Sequence, residues 1–179
     1  MSIINENQLV HDSLHRVAGL MAVAARTAPK ARGIGNITVC IVVGEEIQHL
    51  AEKMKQLSVE WQMPFYNRDA ANIGQCPLVL LIGTRINPIG LNHCGLCGHE
   101  NCDTKRRFPD VPCAFNTGDL GIAIGSAVSV AANHRVDCRV MFSAGKAAKA
   151  LNLMGDETKI VYAIPLSVSS KSPFFDRQQ

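Results

Sequence analysis

ITVCIVVGEEIQHLAEKMKQLSVEWQMPFYNRDAANIGQCPLVLLIGT occupies residues 37 to 84, and its reading decides the fold. Its two ends, ITVCIVVG from Ile37 to Gly44 and PLVLLIGT from Pro77 to Thr84, are short and rich in branched aliphatic residues, which suits strands buried on both faces. Between them Ile47, Leu50, Met54, Leu57 and Trp61 step by three and four along one stripe, while Glu45, Glu46, Glu52, Lys53 and Lys55 cover the remainder. That spacing predicts an amphipathic helix closed by Pro64. A strand, a helix and a strand in this order predict a parallel crossover.

Upstream, residues 8 to 28 place Val10, Leu14, Val17, Met21 and Ala24 on one helical face, and Gly33 and Gly35 break that helix. Downstream, the chain from Asn116 to Asn133 is apolar and rich in small residues, including Gly121, Ala123, Gly125, Ser126, Ala127 and Ala131. This reads as a buried central helix that another helix can approach closely, and as a candidate dimer interface. A shorter helix is expected from Ser143 to Leu153, and TKIVYAIPLSV from Thr158 to Val168 supplies a third strand. Helices outnumber strands and no internal repeat is present. At 179 residues and 47% apolar content, residues 1 to 179 suit a single domain whose core needs no disulfides.

The formal charge of +3 comes without a long Lys/Arg run, so nothing points to a nucleic-acid partner. The start MSIINENQLVHDS lacks the charged and apolar stretches of a secretory signal, and no apolar run approaches bilayer-spanning length. The expectation is a cytoplasmic protein with no membrane partner. Seven cysteines in a reducing compartment point to metal binding or redox chemistry rather than disulfides.

Four of these cysteines cluster, as HCGLCGHENC at residues 93 to 102 followed by PC at 112 and 113, with gaps of two, four and ten residues. Cys94 and Cys97 can bind one centre from a single tight turn, Cys102 joins from the same loop, and Cys113 closes the site. Gly95 and Gly98 each follow a cysteine, where a chain wrapping a cluster needs positive φ or exposed amides. Cys113 stands before the apolar helix, with Asn116 or Thr117 as the expected cap, so the positive end of the helix dipole faces the site. The reading is an iron–sulfur cluster in a loop spanning residues 90 to 113. A structural zinc is the competing reading, kept open by His93 and His99. A thioredoxin-like pair of Cys94 and Cys97 leaves Cys102 and Cys113 unexplained. Cys40, Cys76 and Cys138 read as structural. Lys105, Arg106 and Arg107 either attract an acidic electron carrier or form a solvated loop.

The sequence resembles a small family of prokaryotic proteins described as containing a ferredoxin domain. The resemblance is carried by AARTAPKARGIGN at residues 24 to 36, GLNHCGLCGHENC at 90 to 102, PCAFNTGDLGIAIGSAVSVAANHRVDCRVMFSAGKAA at 112 to 148, and IPLSVSSKSPFFDR at 164 to 177. It implies a 4Fe-4S cluster on Cys94, Cys97, Cys102 and Cys113, matched one for one. More distantly, the early AAxxAP segment, the long apolar helix and the final strand followed by basic residues are similar to the flavin-dependent nitroreductases. That similarity implies an α+β sandwich of a small sheet with packed helices, a homodimer, and FMN at its interface. The phosphate partners it suggests are Arg26, Lys30, Arg32, Lys171 and Arg177, whose alternative is a set of solvated surface charges. The function expected is one-electron transfer to a flavin or a redox partner protein. A zinc-pinned interaction module and an FMN-dependent nitro or quinone reductase are the alternatives.

Overall fold

The computed structural model describes residues 3 to 175. Helix α1 (Glu6–Thr27) opens on Asn5, whose side chain accepts from the Gln8 amide at 3.0 Å. It ends at Ala28, ahead of the glycines expected to break it, because Pro29 disfavours helical backbone in the residue before it. Strand β1 (Ile37–Val43) leads into α2 (Glu45–Glu60), and a second helix, α3 (Phe65–Gly74), precedes β2 (Leu78–Thr84). Then come the short α4 (Cys102–Arg106), α5 (Ala114–Asn133), β3 (Asp137–Cys138), α6 (Phe142–Ala150) and β4 (Ile160–Ser167).

The sheet runs β1-β2-β4-β3 and every pairing is antiparallel, with Val43 opposite Leu78 and Leu80 opposite Ile164. The parallel crossover between β1 and β2 is therefore corrected. Two helices connect these strands instead of one: α2 carries the chain out, the turn at Trp61 and Gln62 reverses it, and α3 returns it to the end from which it left. The Ser58 hydroxyl, bonded to the Met63 carbonyl at 2.9 Å, fixes the turn. Of the two strands expected to be buried on both faces, only β2 is; β1 lies at the sheet edge and leaves Ile41 and Val43 exposed.

The sheet separates two apolar cores. One packs α2, α3 and α6 through Leu50, Met54, Tyr66, Ile73 and Ala147 against Val79, Leu81 and Ala163. The other packs α1 and α5 through Leu14, Met21, Leu120 and Ala127 against Leu78, Leu80 and Ile164. In α1 the buried stripe falls on Leu14, Val17, Ala18, Met21 and Ala25, while Val10 and Ala24 of the expected face are only half-buried. The result is an α+β sandwich with a small central sheet. Among the described residues no helix is long and apolar enough to cross a membrane.

Glycine decides one contact in this packing. A Cβ on Gly145 would lie 2.6 Å from the Val161 carbonyl carbon, 2.9 Å from Tyr162 Cα, and closer still to the Val161 oxygen. Only glycine lets α6 sit on β4. Gly145→Ala is expected to cost about 3 kcal/mol through overpacking against backbone that cannot yield, read as a lower urea midpoint with an unchanged denaturant slope.

Candidate metal centre

The site is built where the loop after β2 meets the start of α5. Asn116, fully buried in the first turn of α5, accepts the Asn87 amide on Oδ1 at 2.8 Å and donates its Nδ2 to the Asn87 carbonyl at 3.0 Å. Asn87 Nδ2 in turn donates to Asn36 Oδ1 at 3.1 Å, joining the entry to β1. Asn116 is thus a clamp, which corrects its expected role as helix cap; its side chain is spent on the loop backbone. Thr117 does not cap either, since its hydroxyl bonds the Ala114 carbonyl at 2.9 Å. Cys113 itself is the N-cap residue, with extended backbone (φ −70°, ψ 137°) and no side-chain bond to the helix.

All four cysteines read as ligands line one cavity, together with Ile89, Leu91, His99 and Phe115. Cys94, Cys97 and Cys102 are half-buried and Cys113 is buried. Gly95 and Gly98 hold φ of 63° and 81°, the left-handed turns expected beside the cysteines, and the Gly98 amide bonds the Gly95 carbonyl at 2.9 Å. Cys102 opens α4, whose cap is Asn101, accepting from the Thr104 amide at 2.9 Å. Cys113 brings to the cavity the end of α5 whose first amides lack intrahelical partners, a setting that favours negative charge. Among the described residues no three His, Cys, Asp or Glu side chains gather closely enough to hold a single metal ion. A cubane spreads its thiolates more widely than one ion does, since each binds a different iron, and the four-sulfur donor set around one cavity fits that group.

Neighbouring residues part from their sequence reading. The His99 ring stacks on Phe108 with centroids 5.1 Å apart. Lys105 is buried, not solvated, and Arg106 pairs with Asp103, so the expected basic patch reduces to Arg107. Cys76 is buried against α3, and burial pushes its thiol up to about 12. Burial also raises Cys40 and Cys138, in agreement with structural roles for all three.

Two of the residues expected to hold a flavin phosphate, Lys30 and Arg32, bond backbone carbonyls. Lys30 Nζ donates to the carbonyls of Ala25, Arg26 and Ala28 at 2.9, 2.9 and 2.7 Å, closing the end of α1, and burial lowers its pKa from the ordinary value. Arg32, at φ 53°, reaches the Ile89 and Gly90 carbonyls at 3.2 and 3.4 Å and so braces the base of the cysteine loop. Buried Asp119 of α5 accepts the Ala31 amide between them. All three donors of Lys30 are thus engaged by carbonyls, and one guanidinium nitrogen of Arg32 is turned to the loop. Arg26 lies beside Gly35, Lys171 follows β4, and Arg177 lies outside the described residues.

The fold is that of the flavoprotein nitroreductases. A BluB-like flavoprotein from Clostridium difficile 630 superposes with a TM-score of 0.55 at 16% identity, over 96% of this chain and 86% of that one. A nitroreductase family protein from Clostridium novyi NT gives 0.59 at 12%, over 94% and 77%. The FMN-dependent nitroreductase NfnB from Mycobacterium smegmatis gives 0.56 at 14%, over 87% and 78%. In sequence, an uncharacterized protein of Archaeoglobus fulgidus is 37% identical over 183 residues, spanning 98% of this chain and 97% of that protein. The profile of the family described as "Uncharacterized protein containing a ferredoxin domain (DUF2148)" matches residues 110–177, which include Cys113. The chain belongs to this family.

The thiols provide a direct check. With a pKa of about 12, Cys76 is thiolate in only about one molecule in ten thousand at pH 8. In metal-free protein, alkylation at pH 8 resolved by mass spectrometry is expected to label Cys94, Cys97 and Cys102 first and Cys76 last. The Cys76 rate should climb about tenfold for each unit of pH.

Proposed function

We propose that Cys94, Cys97, Cys102 and Cys113 hold a 4Fe-4S cluster and that the protein carries single electrons. The observation that supports it is the convergence of these four thiols, and of no other cysteine, on one cavity. Membership in a family described by its ferredoxin domain supports the same reading. When bound, a cluster of this kind accepts and releases one electron at a time.

The chain's own residues set the conditions. Cys94 and Cys97 approach from a turn that Gly95 and Gly98, both at positive φ, allow to close tightly. Ile89, Leu91 and Phe115 supply apolar walls that limit water, and the start of α5 offsets negative charge at Cys113. The Asn116 clamp and Arg32 hold both ends of the loop without taking part in ligation.

The proposal places the protein in the cytoplasm with a redox partner protein as electron donor or acceptor. It also includes a homodimer, for which the outward face of α5 supports the case: Gly121 and Gly125 are exposed there and Ile122 is 49% exposed. Sedimentation at micromolar concentration is then expected to give twice the chain mass, and a monomer mass would withdraw the dimer.

Protein made and purified without oxygen should contain about four irons and four acid-labile sulfides per chain, with visible absorption that dithionite bleaches. Cys97→Ser or Cys113→Ser should remove that absorption and Cys40→Ser should leave it. One zinc and no sulfide would replace the proposal with a structural metal site, and equal loss in all three variants would defeat the ligand assignment.

A further inference from the structure

One end of the sheet carries a second cleft, which shares no residue with the cysteine cavity. The chain there enters β1 through Asn36, leaves β2 through Arg85, Ile86 and Asn87, and approaches β4 through Asp156, Glu157 and Lys159; these seven residues line the cleft. The sheet register gathers them, since Thr84 stands between Ile37 and Ile160. Asn36 is 4% exposed. Its Oδ1 accepts from Asn87 Nδ2 at 3.1 Å, whereas its own Nδ2 is buried without a hydrogen-bond partner. An amide donor withdrawn from water and left unpaired is costly, so this group favours an incoming acceptor oxygen.

The charges of the cleft say what brings that oxygen. Arg85 and Lys159 face the ligand space together with Asp156 and Glu157, and all four are exposed. Arg85 meets Glu157 at 3.8 Å, a long surface pair that contributes little and leaves most of the guanidinium fork open. A plain anion meets two like charges here, and so does a plain cation. A small molecule that carries a carboxylate and an ammonium suits all four groups. We propose that this cleft binds an amino-acid zwitterion. Its carboxylate accepts from Arg85 and from the Asn36 amide, with Lys159 adding charge, and its ammonium faces Glu157 and Asp156. One long ion pair is thereby exchanged for two charge-assisted contacts. Because Asn36 holds Asn87, whose backbone Asn116 clamps, the ligand lies beside the anchor of the cysteine loop, although its binding does not require a cluster.

The test is isothermal titration calorimetry of the full chain with each of the standard amino acids in turn, at two temperatures, in a buffer free of amines and carboxylates. At least one amino acid is expected to bind saturably, one molecule per chain. Acetate and methylamine, which carry a single charge each, are expected to bind at least about tenfold more weakly. Asn36→Asp keeps an oxygen for Asn87 and removes the unpaired donor, and it should weaken binding of that amino acid at least about tenfold, as should Arg85→Gln and Glu157→Gln. Lys55→Gln, on the exposed side of α2, should match wild type. If Asn36→Asp fails to fold by circular dichroism, the two exposed positions decide. The absence of saturable heat with every amino acid overturns the proposal. Acetate binding as tightly as the amino acid overturns it too, leaving a simple carboxylate site, and so does affinity that survives in both Arg85→Gln and Glu157→Gln.

Discussion

The double hydrogen bond between Asn116 and the backbone of Asn87 is the contact on which the site depends. A loop leaving β2 exposes peptide groups that no strand satisfies, and a buried side-chain amide pairs with both the N–H and the C=O of one such residue. Because Asn116 sits three residues after Cys113, the same contact that anchors the outgoing chain also positions the returning Cys113. Asn36 and Arg32 extend the arrangement to the segment before β1, so the loop base is tied to the sheet entry and to α5 together. The two apolar cores on either side of β2 then give this framework its rigidity.

Much of the fold was legible because burial imposes periodicity. The stripes in α1 and α2 and the apolar run of β2 announce themselves at three-and-four or continuous spacing. Strand direction was not legible. FYNRDAANIG forms a short helix buried through only Tyr66, Asp69, Ala70 and Ile73, a weak signal next to the longer helix before it, and that missed helix turns a parallel crossover into an out-and-back excursion. The two-residue β3 is likewise too short to mark itself in the sequence.

At the site, the cysteines were readable because three of the four are neighbours in the chain and their spacing follows from the reach of a turn. Polar roles were not, since residue type underdetermines partner. Asn116 has the identity of a cap and the job of a clamp; Lys30 and Arg32 have the identity of phosphate ligands and are bonded to carbonyls. Lys105 lies in a basic triplet that looks solvent-facing, and only the packing of α4 shows one of the three turned inward. The cue available was its three-residue offset from Cys102, which sets both on one face.

The cysteine loop leaves the body of the protein at Asn87 and re-enters at Asn116, and these two residues touch. Whatever lies between such pinned ends has little influence on the sheet, and the entropy of closing it grows only slowly with its length. The segment is therefore a cassette in the architectural sense. Its length, spacing and even its small helix can change while the nitroreductase-like body keeps its register, because the two pinned ends, and not the segment between them, meet the sheet and α5.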